Sequence, residues 1–485
     1  MIRDGRRPTI FPGLTLRALV PRGVLMGIAL SCGAWRRACT TAYLAIALVV
    51  AMPVVGRAQD GQISEASVRS HMFMLASDAL HGRASGTRDE WIAATYAASQ
   101  LMRWGFEPVD GADELVQTIE TDRVELAAPP ALHVGSHAFE HGRDMIVRTI
   151  GTTPVSGPLV RFVPGVPIPP GAVVLVIGPD LPSAEIIGAA AAVLEPETPE
   201  LRARWAEAAA ALRATVSSGP WRVALDAQAF LALSREAAGS VVHLDAITRP
   251  VRTWNVIAQV RGRDEARADE VVLISAHLDH LGVRGDGPDT IYNGADDDAS
   301  GVTAVLELAR AIGEGRRPRR TLMVALFGSE ETGGAGSRAF VERPPVPLTH
   351  VVANLQFEMI GRPDPAVPAG TLWLTGFERS TLGAELVRRG ARLVADPHPD
   401  ERFFFRSDNI RLANRGVVAH TVSSYGLHED YHTPADEIAR IDFAHMTRAI
   451  ASMLRPIAWL LDTTFVPAWH EDGRPAGTGT AADRQ

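Results

Sequence analysis

An α/β architecture, a mainly parallel doubly wound sheet flanked by helices and carrying an inserted β-rich domain, follows from three features of the 485-residue chain. Compact apolar runs recur at Val271 to Ser275, Thr321 to Phe327, Val351 to Phe357 and Val417 to Ser423, the texture of strands covered on both faces. Helical segments fit between them, at Gly301 to Ile312, Ser380 to Gly390 and Phe443 to Leu461. Polar side chains suited to chemistry cluster where the apolar runs end.

Before this stretch, Asp89 to Trp104 places Trp91, Ile92, Tyr96, Leu101 and Trp104 at helical spacing, which predicts a buried face ending at Gly105. From 124 to 248 the texture changes. Leu159 to Val163, Val173 to Ile177, Val223 to Leu225 and Val241 to Leu244 read as strands separated by Pro/Gly turns. One helix is expected there, with Thr198 as N-cap and Pro199 as its first residue. No His, Asp or Glu cluster at ligand spacing falls in this segment, so it is read as an inserted module and not a catalytic one. The expected units are a leader at 1–58, the first part of the main domain at 59–123, the insert at 124–248, a metal-binding domain at 249–466 and a loose tail at 467–485.

The chain has 46% hydrophobic and 21% charged residues, no lysine and a net charge of −8, the composition of a globular protein. The first 58 residues hold eight arginines and one aspartate, so the remainder carries a net charge of about −15. Phosphate binding needs clustered positive charge, which argues against nucleic acid as a partner. Arg36 and Arg37 precede the apolar run Thr41 to Val55 and the Gly56-Arg57-Ala58 pattern, the order of a secretory signal peptide. Export to the periplasm or the extracellular space is expected, with membrane attachment only if the leader stays as an anchor. Cys32 and Cys39 both lie in the leader, so the mature chain has neither a disulfide nor a cysteine ligand.

His277 and Asp279 follow the first strand, Glu330 and Glu331 the second, and Glu358 the third. In open α/β sheets such strand ends converge on one crevice. Between them, Asp296, Asp297 and Asp298 open a helix. Three adjacent carboxylates repel one another, a cost that a divalent cation offsets. Histidine with carboxylates and no thiolate suits zinc first, with manganese or cobalt as alternatives, and two divalent ions are expected. One member of the Glu-Glu pair then ligates while the other carries a proton. His428 to His432 also spells His-Glu-x-x-His, but Pro434 interrupts the continuous helix that motif needs. His280 and Asp296 fit a structural role as well as a functional one. Phe403-Phe404-Phe405 fits a pocket floor as well as core.

Taken together, His277-x-Asp279, the octet Gly294 to Gly301, Glu330-Glu331, Asn354 to Gly361 and Tyr431-His432-Thr433-Pro434-Ala435-Asp436 resemble the signatures of the co-catalytic zinc exopeptidases, the family of bacterial leucyl aminopeptidase and aminopeptidase Y. Glutamate carboxypeptidase II and glutaminyl cyclase are relatives. The segment Ser77 to Arg83 is similar to that family's opening segment, and the insert is similar to its protease-associated domain. The resemblance implies that Asp297 bridges two zinc ions, that His277 and Glu358 complete one site, and that Glu331 and His432 complete the other. It also implies Glu330 as general base, Asp279 as the group that orients His277, and a cis peptide joining Asp297 to Asp298. The activity implied is removal of N-terminal residues from peptides. A carboxypeptidase of the same fold is the alternative if Arg402, Arg406 or Arg411 reaches the cleft, and an inactive binding relative is a further one. Two positions depart from the pattern. Glu358 stands where many relatives have Asp, and Ser407-Asp408-Asn409 stands where Ser-Asp-His is common.

Overall fold

A computed structural model describes residues 63–476 apart from 152–154, 178–188, 211–212, 218, 286 and 425–426. The leader expected at 1–58 lies outside the described residues. Helices α1 (Glu65–Leu75) and α2 (Arg88–Arg103) open the described chain, capped by Ser64 and Thr87, whose hydroxyls accept from Ser67 N and Glu90 N. Strand β1 (Val116–Leu126) then leads into the β-rich module and β2 (Thr248–Val260) leads out of it. These two pair antiparallel from Val116↔Val256 to Leu126↔Thr248, with an irregularity between Glu120 and Val124.

The elements after β2 include β3 (Val271–His277), α3 (Gly301–Gly313), β4 (Thr321–Phe327), α4 (Ala335–Glu342), β5 (Val351–Phe357), β6 (Leu372–Leu374), α5 (Leu382–Arg388), β7 (Leu393–Ala395), α6 (Asn409–Asn414), β8 (Ala419–Ser423) and α7 (Phe443–Asp462). Pairing gives the sheet order β1-β2-β4-β3-β5-β8-β6-β7. The four central strands run parallel, as expected. The antiparallel pairings lie toward the edges, where β2 meets β4 and β6 meets β8.

Alternate residues of one strand enter different cores, which explains the unbroken apolar runs. Val272 and Ile274 pack with α1, α2, α3 and α7, whereas Leu273 packs on the opposite face with Phe340 of α4 and Leu412 of α6. The long closing helix α7 accommodates Pro456 within it.

The module between β1 and β2 has its own core, which includes Leu132, Met145, Leu159, Leu175, Val223 and Leu244. Thr198 caps the expected helix by accepting from Leu201 N, but that helix stops at Ala203 and a second one covers Trp205–Ala210. A further helix, Ala227–Arg235, is capped by Asp226 and was not anticipated from the sequence. Two other expectations are corrected. Trp91 is 45% exposed although Leu101 and Trp104 are buried, because the apolar face of α2 is carried mainly by its alanines. The chain beyond Val466 is not loose as far as it is described: Trp469 Nε1 donates to Gly416 O, and His470 N donates to Arg379 O.

On β8, His420 is fully buried and wedged between Thr375 O and Ser380 Oγ, each 2.8 Å from a ring nitrogen. Burial pushes its pKa down to about 4. The unfolded chain, with histidine near its ordinary value of about 6.5, therefore binds the extra proton first. Stability is fully present above about pH 6.5 and falls toward pH 4, by up to about 1.4 kcal/mol per pH unit from this one group. Urea unfolding across that range should show the decline, and His420→Gln should flatten it; an unchanged slope in the variant would remove His420 as its source.

Candidate metal centre

Parallel pairing sets His277, the last residue of β3, beside Phe327, the last residue of β4. The residues that follow each strand end therefore emerge on one edge of the sheet. Ser329, Met359 and His432 all adopt left-handed backbone conformations, at φ 66°, 51° and 55°. Such non-glycine residues are costly and persist where the surroundings over-determine them, typically at functional sites.

Asp297 is the hub. Its Oδ1 lies 3.1 Å from His277 Nε2 and its Oδ2 lies 3.1 Å from His432 Nε2. His432 Nε2 also stands 3.2 Å from Glu331 Oε2. The structure adds His280, whose Nδ1 is 2.8 Å from Glu331 Oε1 and 3.8 Å from Asp297 Oδ2. Ligand atoms of His280, Asp297, Glu331 and His432 all fall within 4.8 Å of one another. Two imidazoles and two carboxylates so arranged fit a divalent metal such as zinc. Glu358 lines the same cleft as Asp297, Glu330 and Glu331, and accepts a hydrogen bond from Ser407 Oγ.

Backbone struts hold the hub in place. The Asp297–Asp298 peptide bond is cis. Asp298 turns away from the cleft to accept from His277 N, Gly301 N and Met359 N, at 3.1, 3.0 and 3.2 Å. Asp436 accepts from Asp296 N and Asp297 N and pairs with Arg362. Asp296 is structural too, accepting from Gly361 N and facing His428 Nε2 at 3.2 Å.

Asp279 departs from its expected orientation. Its carbonyl oxygen, not its carboxylate, meets His277 Nδ1 at 3.1 Å. The carboxylate stands 3.9 Å from that nitrogen, and its Oδ1 accepts instead from Glu330 N at 2.9 Å. Asp279 thereby ties the β3 end to the loop that carries the Glu-Glu pair. The His-Glu-x-x-His segment lies in turns and not in a helix, and His428 faces Asp296 while His432 faces Asp297.

The electrostatics split the carboxylates into two groups. Burial raises the Glu330 carboxyl well above its ordinary range, with His277 opposing and the charges of Asp408, Glu358 and Glu331 reinforcing. Burial also raises Glu358 to about 7. Against the same burial penalty, hydrogen bonds from His277 and His432 hold Asp297 well below its usual value.

Around the carboxylates the cleft is lined by Trp373, Phe403, Arg406 and Tyr431, among others. Phe403 stacks on Trp373 with ring centroids 5.3 Å apart, while Phe404 is buried as core, so the aromatic run divides between the two roles. Arg406 is the one of the three flanking arginines in the lining; Arg411 is committed to Gly333 O. Ser407, Asp408 and Asn409 bond Glu358, Ser337 and Thr421, which gives the divergent run a bracing role. Sequence reasoning passed over Trp373, and left His280 undecided although it stands three residues after His277.

Residues 255–456 match the family model of Peptidase family M28, which bears out the resemblance read from the signatures. The chain is 34% identical over 134 residues to the probable lipoprotein aminopeptidase LpqL of Mycobacterium tuberculosis, covering 27% of this chain and 25% of that protein. It is 33% identical over 133 residues to leupeptin-inactivating enzyme 1 of Streptomyces exfoliatus, covering 27% of this chain and 28% of that one. The chain thus spans about a quarter of the length of these relatives. The solved structure of BSAP, a zinc aminopeptidase from Bacillus subtilis, shares the fold with a TM-score of 0.50 at 18% identity, covering 83% of this chain and 96% of that one.

One glycine is dictated by these struts. A Cβ on Gly301 would lie 2.2 Å from Asp298 Oδ1 and 2.3 Å from Phe357 O. Gly301→Ala should therefore lower stability by about 1 to 3 kcal/mol in urea unfolding, the usual cost of overpacking. A variant as stable as the parent would show that Asp298 is not held as described.

Proposed function

We propose that the chain is an exported, zinc-dependent aminopeptidase that removes N-terminal residues from peptides. The observation that carries this reading is the convergence of His277, His280, Asp297, Glu331 and His432 beside the half-buried acid Glu330 in a cleft open to solvent. Asp297 would be shared by two zinc ions, with His277 and Glu358 completing one site and Glu331 and His432 the other. His280 stands against Glu331 as a further donor to that second site. When bound, zinc supplies Lewis-acid polarisation of the scissile carbonyl and lowers the pKa of water to near neutrality.

The remaining work falls to the chain's own groups. Glu330 takes the proton of the attacking water and passes it to the leaving amine, a role that its elevated pKa suits. Asp279, through its bond to Glu330 N, fixes where that carboxyl sits. The β-rich module at 124–248 is read as a protease-associated-like insert, outside the chemistry.

One observation favours a second reading. Arg406 lines the same cleft, and a guanidinium there suits the terminal carboxylate of a carboxypeptidase substrate. A panel of aminoacyl and N-blocked peptides separates the two. Free N-termini alone should be cleaved, chelation should abolish turnover, and Glu330→Gln should lower kcat by about 10²- to 10⁴-fold. Preferential cleavage of blocked peptides would favour the carboxypeptidase, and an undiminished Glu330→Gln variant would remove Glu330 from its role.

Export rests on the leader, and no helix among the described residues is long and apolar enough to cross a membrane. N-terminal sequencing of the mature protein from the cell envelope or medium should begin near Gln59. An intact leader on protein recovered from the cytoplasm would contradict export.

A further inference from the structure

We infer that Arg83 is a positioning residue for the metal centre, a buried clamp that fixes the loop joining His277 to Asp297. This rests on the zinc reading above. The segment Ser77 to Arg83 lies far from the metal centre in sequence, and nothing in the proposed chemistry uses it. Its backbone is nevertheless unusual: His81, Gly82 and Arg83 are consecutive left-handed residues, at φ 41°, 67° and 48°. Gly82 adopts that conformation freely, but it is unfavourable for L-residues in isolation, so His81 and Arg83 on either side need compensation from what they contact.

The compensation is visible in what Arg83 binds. The side chain is 1% exposed and donates to four backbone carbonyls. Nε donates to Leu278 O at 3.0 Å, Nη1 to Asn293 O at 2.7 Å and to Leu75 O, and Nη2 to Gly294 O at 3.0 Å. Leu278 follows His277 directly, and Gly294 stands three residues before Asp297. One guanidinium therefore spans both ends of the 278–294 loop and fixes the separation of two zinc-facing side chains. Two further contacts make the clamp two-sided. His280 N donates to Arg83 O at 3.2 Å, and Asn293 Nδ2 donates to Ala76 O and Asp78 Oδ1 at 3.1 and 2.8 Å.

A planar fork that satisfies several carbonyls at once is not replaceable by a lysine ammonium, which keeps the charge but not the geometry. Arg83→Lys thus isolates positioning from electrostatics. Zinc affinity should be read directly, by competition with a chromophoric chelator, with circular dichroism as a check on folding. The dissociation constant should rise about 10- to 100-fold, the range seen when groups supporting metal ligands are lost. The zinc concentration for half-maximal turnover should rise by the same factor, and KM for peptide at saturating zinc should not move.

A variant with parental zinc affinity and only a lowered Tm would overturn the clamp and leave Arg83 a folding residue. Should Arg83→Lys not accumulate as folded protein, Asn293→Ala removes the neighbouring tie on the same loop. At least a tenfold weakening of zinc binding is expected there, and unchanged affinity overturns the inference. A parent protein that binds no zinc at all would instead sink the metal reading, a result distinct from either.

Discussion

Crowding of negative charge around Asp297 is the constraint on which the other features of the molecule depend. Asp297 sits between His277 and His432, with Glu331, Glu330, Glu358 and Asp298 nearby; Asp297, His277 and Asp298 are buried and the other four half-buried. Carboxylates packed this closely raise one another's pKa values, and burial adds to the cost. Two histidines offset part of it. In the proposed reading, a pair of cations offsets the rest, and the affinity for metal is the free energy that this crowding makes available on binding.

Such a cluster is useful only if its members cannot relax apart, and the surrounding backbone is arranged to prevent that. Asp298 accepts three main-chain bonds, drawing together the end of β3, the start of α3 and the residue after Glu358. Asp436 holds the aspartate run from the side of His432, and Asp279 ties the β3 loop to Glu330. Arg83 reaches the same region from the N-terminal helices. Carboxylates thus serve in two distinct ways here: some face the cleft, while others spend their oxygens on backbone amides that aim the first set.

Much of this was legible in the sequence for identifiable reasons. The central parallel strands announced themselves because a strand buried on both faces must be apolar throughout, and β4 and β5 match their expected bounds. The residues that gather around Asp297 were legible because strand ends are where such a sheet places its polar side chains. Short edge elements were not: β6 and β7 have three residues each, too few to show a period. Trp91 misled because aromatic size dominated the reading of a face that alanines bury. Asp279 was expected to meet His277 through its carboxylate, but whether a side chain or a carbonyl meets an imidazole depends on local rotation that spacing does not encode. Phe403 and Phe404, adjacent in sequence, part between cleft and core for the same reason.

Diffraction from zinc-loaded crystals, recorded on both sides of the zinc absorption edge, tests the central claim most directly. Two anomalous peaks are predicted on either side of Asp297, about 3.5 to 4 Å apart, one toward His277 and Glu358 and the other toward Glu331 and His432. Zinc bound only elsewhere on the molecule, with no peak beside Asp297, would contradict the account.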